Sequence, residues 1–310
     1  MTDARSGDSV EAAAEALRRG QLVLLPTETV YGLAADASNA VAVASIFEAK
    51  GRPRFNPLIA HVEDATAAEA VAIFDASARA LADAFWPGPL TIVAPVRGSD
   101  RVCDLARAGL DSVAVRVPGH LRARAIIAAF GGAVVAPSAN RSGRPSPTTF
   151  ADAVEETGAS AAAAVDGGPC AVGVESTVVS VLDGRVALLR PGAVTRAEIE
   201  ALVGPLADIG QGHRSPGRLT THYAPDAPVR IEAETARPGE ILLGFGPGIG
   251  DPRWSLSISG DLREAAANLF RLFREADRER PIGIAVAPVP MTGLGEAIND
   301  RLRRAAGYVG

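Results

Sequence analysis

Apolar residues gather in short runs at 21–25, 58–62, 90–96, 113–117 and 133–136, each rich in Val, Ile, Leu or Ala and too short for a helix. Runs of that length bounded by Gly, Pro or polar clusters predict buried strands. Between them lie longer stretches in which Ala, Leu and Ile recur among polar residues. These predict helices at 40–49, 65–73, 76–84, 120–130 and 195–202, and one running to Arg19 with Asp8 or Ser9 as its cap and Gly20 as its stop. Asp183-Gly184, set between apolar runs 177–182 and 185–190, signals a two-residue hairpin. Strands alternating with helices imply an α/β fold. Past Asp208 the pattern lapses, and residues 209–228 are too polar for a core element. It resumes with strands at 229–233, 240–244 and 282–287 around a helix at 261–276. The expected organisation is an α/β domain over 1–208, an ordered linker over 209–228 and a smaller α/β domain over 229–310.

Polar side chains concentrate at the edges of these runs. After the first comes Pro26-Thr27-Glu28-Thr29-Val30-Tyr31-Gly32-Leu33, where hydroxyls, a carboxylate and a phenol crowd together. Strand ends are where α/β proteins meet ligands, although Thr, Val and Tyr also suit an edge strand. The helix at 40–49 delivers Lys50-Gly51-Arg52-Pro53-Arg54-Phe55-Asn56-Pro57-Leu58. Lys50 is the only lysine among 31 basic residues. Its compact ammonium, with Arg52 and Arg54 close by, suits a polyanion, and a solvated basic loop is the plain alternative. His61 interrupts strand 58–62; a lone histidine there is more often a core residue than a ligand. Trp86 reads as structural. Arg116 interrupts strand 113–117 and must face solvent or meet an anion, because an isolated buried charge is very costly. Pro137-Ser138-Ala139-Asn140-Arg141-Ser142-Gly143-Arg144-Pro145-Ser146-Pro147-Thr148 reads as a binding loop after strand 133–136. Gly244-Phe245-Gly246-Pro247-Gly248-Ile249-Gly250 fails the G-x-G-x-x-G spacing and reads as a turn.

Bulk properties narrow the class. The chain has 310 residues, 47% hydrophobic and 22% charged, as ordinary globular proteins do. No apolar leader or run near membrane-spanning length stands out, so a cytoplasmic setting is expected. Cys103 and Cys170 form no CxxC, and four histidines without clustered cysteines do not suggest zinc. Residues 1–208 carry a net charge of −6 and residues 209–310 carry +1, which disfavours bulk nucleic-acid binding. Walker A, H-E-x-x-H and G-x-S-x-G motifs are absent. What remains is cations, hydroxyls and amides at strand ends, without an obvious nucleophile. Such a set suits a polyphosphate held beside a small zwitterion.

The chain resembles the YrdC-type threonylcarbamoyl-AMP synthases in their two-domain form. The matching segments are 26–32, 50–58, 86–91, 116–118, 138–143, 146–148 and 176–178, with Ser215-Pro216-Gly217, His222-Tyr223-Ala224-Pro225 and Gly295-Glu296-Ala297-Ile298-Asn299-Asp300-Arg301-Leu302 marking the two-domain form. The resemblance implies a YrdC-like open twisted mixed sheet with flanking helices, followed by a smaller Rossmann-like α/β domain. It implies synthesis of threonylcarbamoyl-AMP and pyrophosphate from L-threonine, bicarbonate and ATP, with Mg2+ accompanying the nucleotide, for N6-threonylcarbamoyladenosine modification of tRNA.

Carried over by position, the resemblance places Thr29, His61, Arg116 and Ser176 at the threonine site. It places Lys50, Arg52, Asn56, Ser112, Ser138, Asn140, Ser146, Arg190 and Tyr223 at ATP, with Lys50 and Arg52 as the catalytic cations. Arg116 then meets the amino-acid carboxylate, and Tyr223 reaches back from the linker as part of a lid. Two departures stand out. Ala136-Pro137 occupy positions where some relatives carry hydroxyls, so a contact there must come from the backbone. Arg218-Leu219-Thr220-Thr221 replaces a more usual Met-Lys-Tyr-Arg. For the C-terminal region a lid support, an allosteric site and a docking surface for downstream tRNA-modifying proteins all fit, with tRNA contact weak or indirect. The alternatives are a carbamoyl-transfer domain related to hydrogenase maturation factors, whose acylphosphatase-like and zinc-finger segments are missing here, and a non-enzymatic RNA-binding module with a basic groove.

Overall fold

The computed structural model describes residues 8–53, 55–98, 100–208 and 223–307. One mixed sheet contains β1 (Val23–Leu25), β2 (Gly32–Asp36), β3 (Ile59–His61), β4 (Leu90–Pro95), β5 (Ser112–Arg116), β6 (Val134–Val135), β7 (Ala163–Ala164), β8 (Thr177–Leu182) and β9 (Arg185–Arg190). Their order is β7-β1-β2-β6-β3-β5-β4-β8-β9, and three of the pairings are parallel: β7 with β1, β3 with β5, and β4 with β8. Flanking it are α1 (Val10–Arg18), α2 (Ala40–Lys50), α3 (Ala65–Val71), α4 (Ala76–Phe85), α5 (Asp104–Arg107), α6 (Leu121–Phe130), α7 (Phe150–Thr157) and α8 (Arg196–Val203). A second sheet, β10 (Val229–Arg230), β11 (Glu240–Phe245), β12 (Ser255–Ser257) and β13 (Gly283–Val286), is parallel throughout in the order β10-β13-β11-β12. It packs with α9 (Leu262–Arg278) and α10 (Gly295–Ala305). This is the mixed sheet plus smaller Rossmann-like layer that the sequence led us to expect.

The polar segment at 26–31 is a loop, and strand pairing starts only at Gly32. Thr27 explains why: its hydroxyl donates to the Val30 carbonyl (2.6 Å) and accepts from the Val30 N–H (3.2 Å), closing the loop on itself. Helices α7 and α10 were not among the expected elements. Each buries polar groups, Asp152 and Thr157 in α7, Asn299 and Arg301 in α10, beside apolar ones such as Ala153 in α7 and Ile298, Leu302 and Ala305 in α10.

Successive strand residues alternate between faces. Leu24, Leu33, Ala35, Ala60, Ile92, Val115, Val135 and Val179 join one core with α2, α3, α4 and α8. Val23, Leu25, Ala34 and Val134 face the other way, under α1 and α6. That second helical layer covers only the β1, β2 and β6 end. Farther along the same face stand His61, Arg116 and Thr91, and there the C-terminal unit closes over the sheet. Its core takes in Val30, Val174 and Tyr223 from outside the small sheet.

The two units meet closely. A Cβ on Gly173 would lie 2.3 Å from Ala267 Cα in α9, so this approach excludes any side chain. Arg274 of α9 donates to Glu156 of α7 (3.0 Å) and to the Pro145 carbonyl, with both charged side chains almost fully buried. Arg278 reaches Asp152 at 2.5 Å and Glu155 at 2.6 Å. Glu156→Ala leaves Arg274 buried without its carboxylate and is expected to cost about 3–5 kcal/mol. Glu279→Ala, breaking the exposed pair with Arg253, is expected to cost under about 1 kcal/mol. Urea unfolding of both variants checks the contrast.

Candidate active site

The polar part of the sheet face forms the floor of a narrow cleft of about 70 Å³. Thr29 comes from the 26–31 loop, Arg52 from the turn after α2, His61 and Arg116 from the ends of β3 and β5, and Ser138 from the loop after β6. Glu175 and Ser176 enter just before β8, Arg190 at the end of β9, and Tyr223 from the start of the second unit; all nine line the cleft. The four residues expected at the threonine site are thus gathered in one place. Ser138, Arg52, Arg190 and Tyr223 join them from the nucleotide set.

Arg116 and His61 are register partners on parallel strands, so both side chains stand on the same face. Arg116 donates to Glu28 Oε1 (2.5 Å), Thr29 Oγ1 (3.0 Å) and the Gly88 carbonyl (3.1 Å). The anion its buried position requires is therefore Glu28, within the chain. The chain thus supplies an anion of its own here, beside which the expected substrate carboxylate would be a second. Burial alone would raise the Glu28 pKa, but the Arg116 charge and nearby main-chain N–H groups outweigh it and hold the carboxyl below its usual range. A guanidinium has five N–H groups, and the three hydrogen bonds leave two for a ligand.

His61 is buried and lies 3.1 Å through Nδ1 from the Ile59 carbonyl. A carbonyl can only accept, so Nδ1 carries the proton and Nε2 is left as an acceptor. Burial, reinforced by the Arg116 charge, drives its pKa down to about 3. The imidazole is neutral at physiological pH and serves as a hydrogen-bond acceptor. Ser176 Oγ lies 2.8 Å from Thr91 Oγ1 and receives Arg190 Nη2 at 3.2 Å. Arg190 also donates to the Ser176 carbonyl through Nε (3.1 Å) and Nη2 (2.9 Å).

The remaining expected residues lie outside the cleft lining. Lys50 Nζ donates to the Ser138 carbonyl (2.5 Å) and the Asn140 carbonyl, tying the end of α2 to the 137–148 loop. Burial, with the Arg52 charge beside it, pushes its pKa well below the lysine range. Asn140 donates to the carbonyls of Arg141 (2.8 Å) and Arg144 (2.9 Å), and its Oδ1, like that of Asn56, is buried without a hydrogen-bond partner among the described residues. Ser146 is fully buried and donates to Glu175 Oε1 at 2.5 Å. Ser112 begins the strand that Arg116 ends. Arg54 and segment 209–222, with Ser215-Pro216-Gly217 and His222, lie outside the described residues.

Burial lowers the Arg52 pKa to about 10, with the Arg190 charge acting in the same direction, and Arg52 Nε is buried without a hydrogen-bond partner among the described residues. Burial likewise lowers the Arg190 pKa. Two desolvated guanidinium groups on one cleft favour an anionic ligand strongly. Tyr223 packs on Phe270 at a ring-centroid distance of 5.4 Å, and burial raises the pKa of its phenol.

Sequence reasoning passed over Glu28 and Glu175 as site residues. Both stood beside expected residues, and the unmatched buried cations were the signal that could have found them. At Ala136-Pro137 the backbone is already committed. Ala136 N–H donates to the Ile59 carbonyl (3.3 Å), the Pro137 carbonyl accepts from Leu33 N–H (2.8 Å), and proline has no N–H. The expected backbone contact there is restricted to carbonyl lone pairs. Trp86 meets Phe74 at 5.8 Å and donates to the Leu90 carbonyl at 2.7 Å, a structural role.

A family model described as "Telomere recombination", covering Sua5, YciO and YrdC proteins, matches residues 15–192. One described as "Threonylcarbamoyl-AMP synthase, C-terminal domain" matches residues 194–307. A threonylcarbamoyl-AMP synthase of Bacillus subtilis is 39% identical over 96% of this chain and 93% of its own length. One from Pyrococcus abyssi is 39% identical over 96% of this chain and 94% of its own length. The crystal structure of P. abyssi Sua5 complexed with L-threonine superposes with a TM-score of 0.88 at 37% identity, covering 96% of this chain and 94% of that one.

The low pKa of His61 has a consequence for stability. An unfolded imidazole takes up its proton near pH 6.5, whereas the folded one does so only at about 3. The unfolded state therefore binds more protons across that interval, and stability is lost as pH falls through it. The unfolding midpoint is expected to drop between pH 6.5 and pH 4, and to drop less steeply in His61→Asn. Equal slopes in thermal melts across that range would contradict the neutral, buried assignment.

Proposed function

The chain belongs to the family of two-domain threonylcarbamoyl-AMP synthases, and we propose that its cleft joins L-threonine, bicarbonate and ATP through the side chains described above. The observation that carries this reading is the convergence of Thr29, His61, Arg116 and Ser176 with Arg52, Ser138, Arg190 and Tyr223 on one cleft. The threonine carboxylate takes the two remaining N–H groups of Arg116, and the neutral His61 Nε2 accepts from the threonine hydroxyl or amine. The amine adds to CO2 derived from bicarbonate, giving a carbamate. A carbamate oxygen then attacks the α-phosphorus of ATP, and pyrophosphate leaves. Two anions must approach each other in this step, so positive charge near the phosphates lowers its barrier. Arg52 and Arg190 face the cleft and supply that charge. Lys50 contributes by anchoring the loop that carries Ser138 and Asn140.

Mg2+ enters with ATP as part of that substrate. We place residues 1–208 as the catalytic domain, 209–228 as a linker and lid that includes Tyr223, and 229–310 as the C-terminal domain. The product feeds N6-threonylcarbamoyladenosine formation in the cytoplasm through docked tRNA-modifying proteins, with any tRNA contact indirect. No helix among the described residues is long and apolar enough to cross a membrane. An RNA-binding role would need cations displayed to a nucleic-acid backbone, whereas Lys50 and Arg116 are each 3% exposed.

Pyrophosphate release from ATP is expected to require both L-threonine and bicarbonate. Release with threonine alone would indicate ordinary amino-acid adenylation, and none under any condition would reject the reading. Arg116→Lys keeps a cation beside Glu28 but removes the fork. It is expected to raise the KM for threonine about tenfold or more, the size of one lost charge-assisted hydrogen bond, with the KM for ATP within about twofold. An equal rise in both, measured by initial rates, would contradict the carboxylate role.

A further inference from the structure

Arg301 is the largest fully buried side chain among the described residues, and it belongs to α10 of the C-terminal unit. Its Nε donates to Glu175 Oε2 at 3.0 Å, and its Nη1 donates to the Pro191 carbonyl at 2.6 Å and to Asp300 Oδ2 at 3.0 Å. The guanidinium carbon lies 5.6 Å from the centroid of the Tyr223 ring, within cation–π range. Glu175 lines the cleft, and its other oxygen holds the Ser146 hydroxyl at 2.5 Å. One guanidinium of the C-terminal unit thus touches three parts of the cleft wall: Glu175, the main chain just after Arg190, and Tyr223.

The seating of α10 is built for this reach. A Cβ on Gly295 would lie 1.7 Å from the Pro290 carbonyl oxygen, so only glycine lets the helix start there. Asn299 then donates to the carbonyls of Val289 (2.9 Å) and Gly295 (2.9 Å), locking the first turn. The glycine, the asparagine and the arginine fall within seven residues and act on one geometry.

We infer that Arg301 is a positioning residue for the nucleotide side of the cleft, neutralising Glu175 so that this carboxylate can orient Ser146, and fixing the ring of Tyr223. The inference rests on the proposed assignment of Ser146, Arg190 and Tyr223 to ATP. Without Arg301, Glu175 is a buried carboxylate with no ion-pair partner among the described residues, and it either takes up a proton or draws Arg190 away from Ser176. The C-terminal domain therefore completes the catalytic cleft.

The test compares Arg301→Met, Glu175→Gln and the double variant, each checked for folding by thermal melt. Arg301→Met is expected to raise the KM for ATP about tenfold or more while the KM for threonine changes less than about threefold. Glu175→Gln leaves Arg301 with Asp300 alone as a carboxylate partner and is expected to raise the KM for ATP as well. The double variant removes both charges and keeps an acceptor for Ser146, so it is expected to recover most of the ATP affinity lost by Arg301→Met. A purely structural role for Arg301 would not be rescued by changing Glu175. An ATP KM within twofold of wild type in Arg301→Met, or a double variant no better than the single, overturns the inference. If Arg301→Met fails to fold, Arg301→Lys carries the test: it keeps the charge, loses the fork and is expected to weaken ATP, and an unchanged ATP KM overturns the inference. Isothermal titration with ATP alone separates the role of the cleft from the role of Arg301. A wild-type chain that binds no ATP rejects the reading of the cleft and this inference with it. Wild-type binding with unaltered variants rejects only the role of Arg301.

Discussion

Holding cations inside the protein is the constraint on which this structure turns. A buried charge without a partner is prohibitively costly, so each must be matched by carboxylates or carbonyls drawn from elsewhere in the chain. Lys50 takes two carbonyls from the 137–148 loop, Arg116 takes Glu28, Arg274 takes Glu156, and Arg301 takes Glu175. Each match joins segments far apart in sequence. The loops around the cleft are positioned by these demands more than by apolar packing. Arg52 and Arg190 differ, because burial depresses both and their surroundings do not fully compensate them. That residual positive charge is what the cleft offers to an anionic ligand.

The place of the cleft follows from an unequal covering of the sheet. One face is buried along its length under α2, α3, α4 and α8. The other has helices α1 and α6 at one end only, which leaves His61, Arg116 and Thr91 on a floor without a helical roof. The C-terminal unit supplies the missing cover through α9 and α10. Its contacts there are a mixture of ion pairs and aromatic packing, with Tyr223 lying between the two cores. A wall made this way brings specific charges to the cleft, which a plain hydrophobic layer could not do.

Much of the candidate site is legible in the amino-acid sequence. The residue types at strand ends, the isolated Lys50 and the interrupted strand at Arg116 all mark places where ordinary packing does not explain the residue chosen. Glu28 and Glu175 are less visible because a carboxylate in a loop carries no periodic signal, and its role depends on which cation folds against it.

What the sequence determined by itself was the alternation of strands and helices and the set of polar groups available at strand ends. These are local properties, carried by apolar runs and turn residues a few positions apart. What the tertiary structure alone decided was which charge meets which. Glu28 answers Arg116 within the chain, main-chain carbonyls claim Lys50, and an arginine from the last helix answers Glu175. Those pairings join residues dozens to more than a hundred positions apart, and the energy of a buried charge depends on what folding brings within about 4 Å of it.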